Sequence, residues 1–138
     1  MFRTKDPDQI NAALKNTLME HLSIKVSEVG DDFICAEMPV GPNVHQPMGF
    51  LHGGATIALA ESLGSMASFL LIDPKKHNVF GLEINANHIR SKREGVVTAK
   101  ATPIHIGSTT HVWEIKIVDE KEKLISIVRM TNIVVNAK

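Results

Sequence analysis

The chain has 138 residues, with 15 basic against 15 acidic side chains and hydrophobic residues at 43%. That length fits one domain, residues 1-138, with a core of its own. The neutral balance excludes the basic face of a nucleic-acid binder and the polybasic patch of a membrane anchor.

Met1 to Asp8 contains no apolar run of the secretory kind, so the expected compartment is the cytoplasm. Asp6-Pro7 marks a helix start, a capping residue followed by proline at the first helical position. Ile10, Leu14, Leu18 and Leu22 then recur every four residues, which predicts one amphipathic helix. Ile24 and Val26 open a short strand. Gly30-Asp31-Asp32 is a turn, and Ile34, Ala36, Met38 and Val40 alternate as the second strand of a hairpin. Cys35 is the one cysteine, so no internal disulfide is possible and a buried inert thiol is expected.

Gly41 to Gly54 reads as a loop. From Ala55 to Ile72 the chain is apolar almost all round, which predicts a helix buried on every side and ended by Asp73-Pro74. Its length approaches a membrane span. Glu61, Ser62, Ser65 and Ser68 inside it, and strands on both sides in sequence, argue against that. Four strand-like runs follow, around Phe80–Ala86, Val97–Ala101, Trp113–Ile117 and Leu124–Val135, with a charged turn at Asp119–Lys123. Their short connections predict an antiparallel sheet. The fold class is therefore α+β, a curved sheet wrapped around one long helix, with a partner subunit free to cover what remains.

Glu61 is the only charged residue between Ala55 and Ile72. An ionised carboxylate in such a helix must be paired or must face a polar cleft. It is either a base or nucleophile, or a structural glutamate held by a buried cation. A second signal is Gln46, followed by Leu51-His52-Gly53-Gly54 just before the helix. Glycines there expose backbone N–H groups without intrahelical partners, and the helix dipole adds positive potential. Such an end can polarise a carbonyl, or it can be a plain turn. Gly53 and Glu61 lie eight residues apart, roughly 12 Å along one helix. One carbonyl cannot reach both. If both serve one reaction, Glu61 of one chain must meet Gly53 of another, as two antiparallel helices across a two-fold axis would arrange.

His45, His52 and His88 lack zinc-ligand spacing, and no His-Glu-x-x-His or paired-cysteine motif is present, so no metal is expected. His88 to Arg93 is a local basic cluster, suited to phosphates or to a solvated strand end. Gly107-Ser108-Thr109-Thr110 offers N–H and hydroxyl groups to a phosphate, or forms a turn. Phosphate-loop and dinucleotide glycine patterns are absent, as is the serine-hydrolase elbow.

The stretch His45-Gln46-Pro47-Met48-Gly49-Phe50-Leu51-His52-Gly53-Gly54-Ala55, with Leu59-Ala60-Glu61-Ser62-Leu63-Gly64-Ser65-Met66-Ala67, resembles hotdog-fold thioesterases of the phenylacetate-degradation-related type. Gly81 to Arg90, Pro103 to Gly107 and Trp113-Glu114-Ile115 match the same pattern, most closely in the branch of bacterial 1,4-dihydroxy-2-naphthoyl-CoA hydrolases. The resemblance implies hydrolysis of an aromatic or bulky acyl-CoA by a homo-oligomer with shared sites, usually a dimer of dimers, with no cofactor beyond the substrate's own CoA. It implies Glu61 as nucleophile or general base and Gly53 as the amide that polarises the carbonyl. Gln46 and His52 would orient thioester or water, and Ser65 would line the site. His88 and Arg90 would lie near the CoA phosphates, and Gly81, Gly107, Ser108 and Thr109 along the CoA path. The alternatives are a hotdog hydratase or dehydratase, and a non-catalytic acyl-CoA binding protein.

Overall fold

A computed structural model describes residues 1–138. Six strands make one sheet: β1 (Lys25–Val29), β2 (Ile34–Val40), β3 (His77–His88), β4 (Gly95–Ile106), β5 (Thr110–Val118) and β6 (Leu124–Asn136). Their order is β1-β2-β4-β5-β6-β3, and every neighbouring pair is antiparallel. The alternating residues of the sequence line its inner face. Val97, Ala99 and Ala101 of β4, Trp113, Ile115 and Ile117 of β5, and Val128 and Met130 of β6 are all buried. Against them lies one long helix spanning Gly53–Phe69. Two short helices precede it in the chain, so it is α3.

The face of α3 that carries Thr56, Leu59, Ala60, Leu63, Gly64, Ala67 and Ser68 is buried against the sheet. Small residues let backbone approach backbone, and a Cβ on Gly64 would fall 2.8 Å from Met130 Sδ. The opposite face is not covered within the chain. Glu61 and Phe69 are exposed there, and Ser62 and Ser65 are half-buried. The expectation of burial on every side therefore fails for the single chain: the sheet covers one side only.

Two expectations at the helix ends need correction. The stripe from Ile10 to Leu22 is not one helix but two, α1 (Pro7–Ala12) and α2 (Leu18–His21). Asn16 between them takes the left-handed conformation at φ 62°, which breaks the helical path, and Leu18 points into solvent at 59% exposure. Ile10 and Leu14 are buried, and Leu22 packs half-buried against the core. Asp6 caps α1 as expected, accepting from the Asp8 N–H. Helix α3 stops at Phe69 rather than Ile72. Arg3 meets its last carbonyls, donating from its backbone N–H to Leu70 and from its guanidinium to Phe69.

Strand β3 is an outer edge of the sheet. Its register with β6 slips between Gly81 and Glu83, a β-bulge. The slip allows Gly81 to face the helix together with Ile84 and Ala86, although these positions differ in parity. Phe80 and Leu82 stay exposed at 57% and 58%.

Candidate active site

The loop before α3 is tied down residue by residue. The Gln46 side-chain oxygen accepts from the backbone N–H groups of Met48 (2.5 Å) and Phe50 (3.4 Å). Gly49 makes the tight turn with φ 84°. His45 donates from Nε2 to the Arg93 carbonyl at 2.6 Å, and the Leu51 N–H donates to the Lys92 carbonyl. The Arg93 guanidinium lies over the Phe50 ring, 4.3 Å from its centre. These contacts commit the Gln46 carbonyl oxygen to the loop and leave its amide NH₂ for other partners.

His52 is the N-cap of α3: its Nδ1 accepts from the Gly54 N–H at 2.7 Å. The Gly53 N–H has no acceptor within the chain. It opens into a cleft of about 440 Å³ lined by Gln46, Phe50, Gly53, Thr56, His88 and Arg90, among others. His88 is exposed on the wall of this cleft, beside the helix start. A Cβ on Gly53 would sit 2.8 Å from His88 Nε2, and His88 Nδ1 lies 2.7 Å from the hydroxyl of buried Ser126. Arg90 is exposed, with its guanidinium donating to the Leu124 carbonyl.

Glu61 is not part of that cleft. It stands two turns further along α3 with its carboxylate over the edge strand, Oε2 3.2 Å from the position a Cβ on Gly81 would take. The chain's ion pairs join Lys5 to Asp31, Lys92 to Glu120 and Lys116 to Glu114. None involves Glu61, so the alternative of a glutamate sealed by an internal cation is excluded. Ser65 follows one turn later on the same open face.

Gly107, Ser108 and Thr109 form the β4–β5 turn at the other end of the sheet. β6 relates the two ends, with Ser126 opposite His88 and Ile133 opposite both Phe80 and Thr110. From Ser126 to Ile133 the strand runs about 23 Å. Gly107 and Ser108 line a separate cleft with Lys76, His77 and buried His111. One chain thus gathers Gln46, His52, Gly53, His88 and Arg90 at one end. It holds Glu61, Ser65 and Gly81 apart from them, and Gly107 to Thr109 further still. Sequence reasoning misses Ser126 and Thr56. An inward serine in a strand carries no local signal that sets it apart from any other polar residue.

This helix-in-sheet geometry, with a glycine-started helix bearing one solvent-facing acid, defines a class. Residues 48–126 match the thioesterase superfamily, and the chain belongs to it: it is a thioester hydrolase of the hotdog family. Among its relatives, the 1,4-dihydroxy-2-naphthoyl-CoA hydrolase of Escherichia coli is 45% identical over 124 residues, 90% of each chain. The enzyme of that name from Listeria monocytogenes is 49% identical over 114 residues, 83% of this chain and 92% of its own. The crystal structure of a glutamine-to-alanine mutant of a Pseudomonas aeruginosa thioesterase superposes with a TM-score of 0.96, at 47% identity and 99% coverage of both chains. A Haemophilus influenzae thioesterase follows with a TM-score of 0.93, at 43% identity, covering 98% of this chain and 94% of its own.

Proposed function

We propose that the enzyme hydrolyses an aromatic or otherwise bulky acyl-CoA to the free acid and CoA, with Glu61 acting on a carbonyl held at the Gly53 end of a second copy's helix. The observation that carries this reading is the placement of two reactive groups on α3. A solvent-facing, unpaired carboxylate and a free helix-start N–H sit eight residues apart, too far for one carbonyl to touch both. Two copies joined through their β3 edges, with helices antiparallel, bring each acid to the other's helix start and create two equal sites. The relatives named as naphthoyl-CoA hydrolases support an aromatic acyl group.

In this arrangement the Gly53 N–H draws charge onto the thioester oxygen. Glu61 either attacks the carbonyl carbon, giving a mixed anhydride, or takes a proton from the attacking water. The C–S bond breaks and the thiolate leaves readily, so the step requires no metal. The Gln46 amide and His52 orient thioester or water, and Ser65 lines the acyl side. Arg90 faces the CoA phosphates at one end, and Gly81 with Gly107, Ser108 and Thr109 of the other copy flanks the CoA path. The resemblance supports a dimer of dimers working in the cytoplasm.

Two inactive variants test the reading together. Glu61→Gln removes the base or nucleophile and is expected to abolish thiol release while binding of the CoA ester survives. Gly53→Pro removes the helix-start N–H at the one helical position that tolerates proline, and its ring also displaces His88. Either effect disables the same half of the site. Mixed, co-denatured and refolded, the two dead proteins should recover about a quarter of wild-type activity, because half the dimers then pair one intact acid with one intact helix start. Glu61→Gln keeping most of its kcat, or a mixture that stays dead while the wild type refolds fully, refutes the shared site. Hydration of an enoyl-CoA without thiol release would point to the hydratase instead.

A further inference from the structure

His88, which the resemblance places near the CoA phosphates, also borders the helix-start cleft with both of its ring nitrogens held in defined surroundings. His88 closes β3 next to the basic run that ends at Arg93, a position suited to a phosphate contact. In the structure its ring lies between the first residue of α3 and Ser126 of β6. Nε2 lies 2.8 Å from where a Gly53 Cβ would be. Both the Cα–Cβ direction and the N–H direction of a helical residue lean toward the helix N-terminus. His88 Nε2 therefore stands beside the first residue of α3, in the cleft that the free Gly53 N–H also borders.

The other ring nitrogen decides where the proton is. Nδ1 lies 2.7 Å from Ser126 Oγ, and Ser126 is fully buried. The serine hydroxyl has one proton, and His88 Nδ1 is the only side-chain acceptor beside it. Leaving a buried hydroxyl proton without an acceptor costs free energy, so the hydroxyl donates and Nδ1 accepts. The ring proton then sits on Nε2. Gly54 cannot supply a second donor there, because its N–H is taken by His52 Nδ1.

We propose that His88 Nε2–H is a second hydrogen-bond donor to the thioester oxygen, forming with the Gly53 N–H a two-donor oxyanion site in which Ser126 fixes the tautomer. This rests on the function proposed above and adds a residue and a role to it. His88 gives up no proton: as the carbonyl carbon becomes tetrahedral and its oxygen gains negative charge, the two N–H groups shorten their bonds to it. Arg90, exposed at the rim of the cleft, keeps the phosphates. A preorganised donor acts mainly in the transition state, where the charge develops. Its loss therefore lowers kcat, whereas loss of a phosphate contact raises KM.

The experiment compares two substrates, an acyl-CoA and the same acyl group on pantetheine, which has no phosphate. With His88→Ala, kcat should fall by about 100-fold on both esters, with KM for the CoA ester changed less than about twofold. His88→Gln, which can place an amide N–H near the Nε2 position, should recover much of the loss. Ser126→Ala, which frees the ring to protonate at either nitrogen, should lower kcat by a smaller factor. Nitrogen NMR of the wild type should show the His88 proton on Nε2. A His88→Ala protein with unchanged kcat and raised KM, or an effect confined to the CoA ester, overturns the proposal in favour of a phosphate contact. The same variants separate this idea from its foundation. A wild type that releases no thiol removes the hydrolase reading itself, whereas a dead Glu61→Gln beside a fully active His88→Ala removes only the second donor.

Discussion

The Ser68 hydroxyl has one proton and two lone pairs, and three neighbours claim them. Trp113 Nε1 and Asn132 Nδ2 both donate to it at 2.8 Å. Its own proton must then go to His111 Nδ1, 2.9 Å away, which leaves the His111 ring proton on Nε2. Burial pushes the His111 pKa below its usual 6.5, only partly offset by the Gly107 carbonyl. The folded state thus resists a proton that the unfolded chain accepts. Above pH 6.5 neither state is charged at His111, and stability is unaffected by it. As pH falls below 6.5 the unfolded state gains the proton first, and stability declines. Melting temperature should drop between pH 7 and 5.5, and His111→Gln, which does not titrate, should flatten that slope. Asp31, Asp119 and Glu120 are also held low, Glu120 at about 2 by its partner Lys92. Their ordinary values lie at 3.8 and 4.5, so their contributions fade only at more acid pH and do not mask the test. At this scale the sequence shows Glu61 and Gly53, because a lone charge and a glycine pair stand out in an apolar run. It conceals Ser126 and Asn132, whose partners come from elements 38 and 68 residues away.

At the scale of elements, the contact between α3 and β6 depends on absent side chains. Gly64 lies under Met130, and a larger residue has to displace the Met130 sulfur and the Ile115 methyl, 3.4 Å away. Gly64→Leu should destabilise the fold by about 1–3 kcal/mol, read from the denaturant midpoint. A variant as stable as the wild type would mean that the helix can lift without cost. The six strands and α3 are legible because strict alternation is the mark of a half-buried strand and a long unbroken apolar run that of an interior helix. The first helix misleads for a physical reason. Ile10 and Leu14 pack on the core, but Leu18 only completes the four-residue spacing by coincidence, and the left-handed turn at Asn16 has no hydrophobic signature.

For the whole molecule, the bulge in β3 sets where two copies can join under the shared-site proposal. Gly81 marks Glu61 and His88 marks Gly53, so Gly81 of each copy must fall opposite the partner's His88. The bulge between Gly81 and Glu83 absorbs one residue. Ile84 then pairs with the partner's Ala86, both facing the helices, and the two-fold axis passes through Asn85. Opposed side chains in an antiparallel pair have Cβ atoms within about 4.5–5.5 Å. Asn85→Cys should therefore cross-link to its own copy under mild oxidation, visible as a dimer on a non-reducing gel. Cys35 is buried and competes poorly. A thiol at position 85 that stays free in an oligomer shown to be dimeric or larger places the axis elsewhere. The proposed second copy rests on eight residues of helix that the sequence displays, but the proposed register does not, since nothing in Gly81-Leu82-Glu83 announces a bulge.

Because β3 touches α3 near both Gly53 and Glu61, it works as a ruler between the two groups of the proposed site. An added or deleted residue in the loop before α3, or at the N-terminus, alters surroundings but keeps that measure. A single insertion between Gly81 and His88 stretches it, rotates every later side chain to the other face, and misaligns both ends of the helix at once. Length variation among functional descendants of this chain should gather in the connections and spare those eight positions.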